Sequence, residues 1–285
     1  MLWQSILVDL VAIVILLIIA RFMNQLVIKT GITEALIHKD NHALGLQISG
    51  YLFGVLLIIG SVLSGSHYQN IWITAMWIAI YGIGGILFLN LFSVLGLKVI
   101  LSDKCMNAIK SGNSAAGIVS AGGYIATALI IAGTVAGDSQ GTWDSAVVFF
   151  IAGQVSFVII TLIFRMLTDY NDNEEILNGN IAAALSYAGL MIAVGLIVGH
   201  AVEGDFVDYG SSFTAFGKAL LVVLALYPIR QWIVQGLLLG GGFTIYGGRL
   251  DKEIKEDKNI APESSRRRYR RTRSPPRRWA PMRTC

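Results

Sequence analysis

An all-α fold, a polytopic bundle of transmembrane helices built from parallel helical-hairpin repeats, is what this sequence predicts. Three observations predict it. The 285 residues are 54% hydrophobic and 14% charged, where soluble domains carry about 25% charge. Basic residues gather in alternate connections between apolar runs. One motif returns three times without a gap.

A bilayer core asks for about 20 apolar residues per helix. Seven segments qualify, near 3–28, 43–64, 71–97, 114–136, 145–167, 181–202 and 212–239. A soluble fold would have to bury seven long helices that are hydrophobic all round. The first segment, LWQSILVDLVAIVILLIIARF, lacks the basic start, short apolar run and small-x-small site of a cleaved signal, so a retained span is expected.

Charge sets the expected orientation. Connections after odd-numbered spans carry Lys29, Lys39, Lys98, Lys104, Lys110, Arg249, Lys252, Lys255 and Lys258. Those after even-numbered spans hold Asp138, Asp144, Glu203, Asp205 and Asp208 and no Lys or Arg. The positive-inside rule then places the amino terminus outside and the long connections in the cytoplasm of a bacterial inner membrane. Arg21, Lys98, Arg165 and Arg230 close apolar runs, as snorkelling cations do. Arg230, between Pro228 and an apolar WIVQGLLLG, is the best candidate for a buried functional cation. Trp3, Trp72 and Trp143 stand at outer ends, where an aromatic belt belongs.

The repeat begins at Asp40 (DNHALGLQISGYLFG), Gly112 (GNSAAGIVSAGGYIA) and Gly179 (GNIAAALSYAGLMIA). Counted from Asn41, Asn113 and Asn180, alanine stands at +2 (Ala43, Ala115, Ala182) and glycine at +9 (Gly50, Gly122, Gly189). A small residue stands at +13 (Gly54, Ala126, Ala193), and glycine at +24 (Gly65, Gly137, Gly204). At 100° per residue, +2, +9 and +13 fall within about 40° of each other. Each helix therefore has one smooth stripe, read as a packing seam; the competing reading is a pore lined by small residues. The asparagines are expected N-caps, with anion binding by converging helix starts as the sharper alternative. An even helix count per repeat makes the copies parallel rather than inverted.

This gives a four-span unit over 1–136 and a second unit over 137–258 with three spans. Residues 259–285 open a fourth copy (Asn259, then Ala261) and turn into an Arg/Pro-rich tail with nine arginines and one acid, Glu263. The rest of the chain carries 13 basic and 17 acidic residues, so the basic balance belongs to the tail. A single-base deletion near Ala261 accounts for it, because Ala and Gly codons read out of phase give Arg, Pro and Ser. The alternative is a disordered basic tail that binds anionic lipid.

The stretches DNHALGLQISGYLFG, GNSAAGIVSAGGY and DKEIKEDKNIA resemble the YjfL-type family of uncharacterised bacterial inner-membrane proteins. The resemblance implies tandem four-span units, eight spans when complete, and brings no activity or catalytic residues.

Chemistry is sparse. His38 and His42, beside Glu34 and Asp40, have helical metal-ligand spacing, but the other repeats lack histidine there; a solvated cluster is expected. His67 and His200 read as interfacial, and Cys105 and Cys285 show no disulfide or metal spacing. The glycines of YGIGGILF lie inside a span with no strand before them. Neither enzymatic chemistry, a metal nor a cofactor is expected. Deep polar residues are neutral: Gln47, Asn90, Gln154, Ser156, Thr161 and Ser186, with Asp9 near the outer boundary. This weighs against ion-coupled transport. Two functions remain. One is a structural component whose cytoplasmic segments 29–42, 98–112, 168–179 and 241–258 dock a soluble protein. The other is a passive channel or small-solute permease along Gln47, Asn90 and Gln154. Expected partners are the bilayer, a cytoplasmic protein and further copies of the chain, and not nucleic acid.

Overall fold

The computed structural model describes residues 2–28, 34–38, 40–65, 70–101, 104–136, 143–203, 206–238 and 246–257. Lys29, Lys39, His67, Gly137, Asp138, Gly204, Asp205, Lys258, Asn259 and the tail after it lie outside them. The described residues form α1 (Leu2–Ile28), α2 (His42–Gly65), α3 (Ile71–Ile100), α4 (Lys104–Lys110) and α5 (Ser114–Ala136). Next in the chain come α6 (Trp143–Arg165), α7 (Asp172–Leu177), α8 (Ile181–Val202), α9 (Tyr209–Gln231) and α10 (Arg249–Asp257). Single π-helical segments, Glu34–His38 and Trp232–Leu238, precede α2 and succeed α9. The second comes a turn after Pro228, whose missing N–H and ring disturb the regular ladder.

Seven of these helices, α1, α2, α3, α5, α6, α8 and α9, are long and apolar enough to cross a membrane. They form two layers. The three repeated helices make a row, α2 against α5 and α5 against α8. Across that row lies the second layer: α3 spans α2 and α5, α6 spans α5 and α8, α9 rests on α8, and α1 lies outermost against α3. Burial tracks position. The α5 span is 72% buried while that of α1 is 11%, and no residue from Asn113 to Val135 is exposed. Leu7, Leu10, Ile18 and Phe22 on α1 point outward, as expected where lipid is the solvent. Trp72, at the start of α3, is 81% exposed, and Asn70 caps that helix by accepting from the Trp72 N–H.

Short helices precede α5 and α8, as the Glu34–His38 segment precedes α2, and all lie at the end where the repeated helices begin. The junctions after α4 and α7 are alike. The Asn113 N–H reaches the Ala108 carbonyl and the Gly112 N–H that of Ile109; Asn180 and Gly179 do the same to Glu175 and Ile176. This is the Schellman pattern, which needs a left-handed residue. Gly112 (φ +93°) and Gly179 (φ +81°) supply it, and Asp40 (φ +46°) stands in that place before Asn41. Gly-Asn therefore ends one helix and starts the next.

Candidate functional site

The row of small residues is closed backbone to backbone. A Cβ added to Gly50 would fall 2.4 Å from the Ala121 Cα, and one on Gly54 3.0 Å from the Ala128 Cβ. One on Gly117 would fall 2.4 Å from the Ala43 carbonyl oxygen. One interface on, a Cβ on Gly122 would lie 2.8 Å from the Ala188 Cβ, one on Gly195 2.6 Å from the Ala126 Cα, and one on Gly133 2.1 Å from the Gly199 carbonyl oxygen. The contacts advance together along both chains, so the three helices are parallel.

Two of the stripe residues are elsewhere. Gly189 and Ala193 are exposed, and a Cβ on Gly189 would meet nothing within 4 Å. Each seam joins two different faces: the +9/+13 face of one repeat meets a +8/+15 face of the next, here Ala121 with Ala128 and Ala188 with Gly195. α8 ends the row, so its +9/+13 face has no successor among the described residues. The second face escapes a reading by sequence alone, although its small residues are visible there. Ala115 and Ala182 are buried beside the caps.

The asparagines do more than cap. The Asn113 Oδ1 accepts from the Ala116 N–H, while its Nδ2 donates to the Ile176 and Leu177 carbonyls at 3.0 and 2.9 Å. Asn41 accepts from Leu44 and donates to Ile109 and Lys110. Asn180 accepts from Ala182 and Ala183, and donates to the Ile254 carbonyl at 2.9 Å and to Glu175. Each asparagine thus ties its helix start to the short helix of the next repeat. Its amide is spent on protein partners rather than held open for an anion. Asn259 lies outside the described residues.

A polar cluster is buried between α1, α2, α3 and α5. The Tyr51 hydroxyl donates to the Ala20 carbonyl (2.8 Å) and accepts from the Asn90 Nδ2 (3.1 Å). Tyr51 and Tyr124 meet edge to face at 5.4 Å. Around them the Gln47 amide faces the Tyr124 hydroxyl, and the Ser120 hydroxyl, the Ser93 Oγ and the Asn24 and Asn90 Oδ1 atoms are buried without a hydrogen bond. Gln154 sits apart, between α3, α5 and α6, with its Nε2 3.5 Å from the Thr127 Oγ1 and its Oε1 unbonded. The three residues of the expected path therefore fall into two groups, Gln47 with Asn90, and Gln154. Asn90 also lines a groove of about 600 Å³ between α1, α3 and α4, walled by Leu26, Leu91, Leu95 and Cys105. Burial pushes the Cys105 thiol up to about 11, so it is not a thiolate.

A family model for a domain of unknown function, DUF350, matches the chain twice, over 1–135 and 139–263. The chain belongs to the DUF350 family. No curated protein and no solved structure matches it. The first DUF350 copy holds α1, α2, α3 and α5. The second holds α6, α8 and α9 and stops four residues past Asn259, where the apolar pattern fails. The polar cluster belongs to the first copy: from Asn180, the counterparts of Gln47 and Tyr51 are Ser186 and Leu190.

The second copy has its own polar feature, at the short-helix end. Arg165 does not snorkel. Its side chain, 13% exposed, pairs with Asp172 at 3.3 Å, lies 5.3 Å above the Tyr187 ring and donates to the Ile100 carbonyl. Burial pushes the Asp172 carboxyl up to about 6, against the pull of Arg165 and Thr168. Arg230, the sequence's candidate, is only half-buried. It lines a polar cavity of about 20 Å³ with Tyr170 and Asp251, room for about one water. Burial raises the Asp251 carboxyl too. Asp172, seven residues past Arg165, was the missed signal.

His42 and Asp40 lie 3.6 Å apart, both largely exposed, and no cluster of three metal-ligating side chains occurs among the described residues.

Proposed function

We propose that this DUF350 protein is a structural, partner-docking component of a bacterial inner membrane, its amino terminus outside and its short helices in the cytoplasm. The YjfL-type kinship is part of this reading. The observation that carries it is the asparagine ladder, which binds the start of each repeated helix to the short helix of the next repeat. It makes one braced platform out of segments that would otherwise be independent loops. The platform displays Lys104, Lys110, Lys252 and Lys255 beside Glu174 and Glu175, a mixed-charge surface suited to a soluble protein. Site-directed photocrosslinking in intact cells tests it: probes at Lys110 and Lys255 capture one discrete soluble protein, while probes at Trp72 capture none. Probes at all three sites capturing the same background argues against docking.

A second reading, a small-solute permease, is favoured by the unbonded polar atoms of Ser120, Ser93 and Asn90 beside the Gln47–Tyr124 pair. Such groups cost free energy unless water or solute satisfies them. Flux into proteoliposomes that falls in Asn90→Leu and Gln154→Leu supports the permease; no flux from folded protein removes it.

A further inference from the structure

The short-helix ends of the two copies share one plan, and three positions in it are filled differently. Counted back from the asparagines, Arg165 and Lys98 stand fifteen residues before Asn180 and Asn113, and Asp172 and Cys105 stand eight before. Phe157 and Asn90 stand twenty-three before. In the second copy this place is closed. Arg165 pairs with Asp172 at 3.3 Å, and the bulky Phe157 is buried. In the first copy Lys98, Cys105 and Asn90 all line the groove of about 600 Å³ between α1, α3 and α4. The aromatic ring has become a short amide, and the carboxylate a thiol that burial keeps protonated. The groove is a cleared position of the repeat.

We propose that this groove holds one acyl chain of an anionic phospholipid, drawn from the leaflet at the short-helix end, with the lipid phosphate at the Lys98 ammonium. Size and depth fit an alkyl chain. The volume is that of a ligand site, and the walls are apolar apart from Asn90 and Lys98. Leu87 and Lys98, its limits on α3, are separated by about 16 Å of helix rise, against about 15 Å for one leaflet of a ~30 Å hydrocarbon core. Access is from the side: Leu26, Leu87, Leu91 and Leu95 are all exposed, so a chain enters from the bilayer without passing through water. Charge names the headgroup. Asp172 brings a carboxylate to Arg165, whereas the equivalent Cys105 brings no charge to Lys98, so the complementary anion comes with the ligand. Basic pockets between membrane helices select anionic lipid in this way. The site is compatible with docking and with transport alike, and needs neither.

The test is native mass spectrometry of the full-length protein, titrated with phosphatidylglycerol and with phosphatidylcholine of the same chain length. The first phosphatidylglycerol binds about fivefold more tightly than the first phosphatidylcholine, the worth of one basic residue near a membrane surface. Lys98→Gln abolishes that preference. Lys110→Gln, at an exposed lysine outside the groove, keeps it. Leu91→Trp fills the groove and lowers occupancy by both lipids. Leu91 and Lys98 are exposed, so both variants fold, and circular dichroism verifies it. Four results overturn the proposal: equal binding of the two lipids, a preference that survives Lys98→Gln and so belongs to the arginines of 259–285, unchanged occupancy in Leu91→Trp, or displacement of phosphatidylglycerol by equimolar oleate, which would make the ligand a free fatty acid.

Discussion

Replacing Gly133 by alanine isolates what holds the row together. The new Cβ would lie 2.1 Å from the Gly199 carbonyl oxygen, on a backbone that cannot rotate away. An ordinary contact there needs roughly 3.2 Å, so α5 and α8 must part by about 1 Å near their far ends. A radial gap of 0.5–1 Å forfeits roughly a quarter to a half of each dispersion contact. The Gly122–Ala188 and Ala126–Gly195 contacts on the same seam loosen with it. Overpacking of this kind costs about 1–3 kcal/mol, set against a helix-propensity gain for alanine of about 1 kcal/mol. The net expectation is a loss of up to about 2 kcal/mol. The control is Gly84→Ala in α3, where an added Cβ meets nothing within 4 Å and only the propensity gain remains. Unfolding by SDS in mixed micelles, monitored by circular dichroism, reads both. Equal stabilities for the two variants would refute the claim that close backbone approach, rather than general apolarity, binds α5 to α8.

Four further expectations rest on the polar contacts. Asn113→Asp keeps the cap on Ala116 but loses both Nδ2 donors to Ile176 and Leu177. It destabilises by about 2 kcal/mol, at about 1 per hydrogen bond, and amide exchange speeds up in α7 as well as at the start of α5. Asp172 has its carboxyl raised to about 6 by burial, so the folded state holds this proton more tightly than the unfolded chain. Stability therefore falls as pH rises from about 4 to 6 and is level above that; melting curves show that slope in the wild type and lose it in Asp172→Asn. Gln47→Leu removes a buried amide that faces only the Tyr124 hydroxyl, without a well-formed hydrogen bond, so it is neutral or stabilising by about 1 kcal/mol. Tyr51→Phe removes the hydroxyl's bonds to the Ala20 carbonyl and to the Asn90 amide, at a cost of about 1–2 kcal/mol. A Gln47→Leu loss as large as that of Tyr51→Phe in the same SDS titration would mean that ordered water satisfies Gln47.

Most of the fold was legible because lipid as solvent writes length and hydropathy directly into the chain. The seven spans, the repeat phase and the place of Asn41, Asn113 and Asn180 at helix starts can all be read along one line of residues. What could not be read is pairing. That Gly122 meets Ala188 while Gly189 meets nothing depends on which helix comes next in space, and a repeat looks the same whether it is internal or terminal. The double role of Asn113 was hidden for a related reason: its second partner lies 63 residues away. Arg165 was misjudged because an arginine closing an apolar run is ambiguous by itself. Its inward turn is fixed by Asp172, Tyr187 and the Ile100 carbonyl together.

The two faces used by α5 also bear on shape. At 100° per residue, the +9/+13 face and the +8/+15 face point about 130° apart around the helix, not 180°. A row joined this way bends, with α3 and α6 on its convex side against the wider arc of α5. There the polar residues of α5, Ser120, Tyr124, Thr127 and Thr134, meet them, all buried. The concave side carries Ile118, Ile125 and Leu129, which are half-buried. Polar groups thus sit between layers and apolar ones toward lipid, the arrangement a bilayer enforces. Any further helix added to α8 continues the bend, and its start comes to the carbonyl end of α10. The repeat is therefore an instruction for lateral growth, and the position next to α8 is unfilled among the described residues.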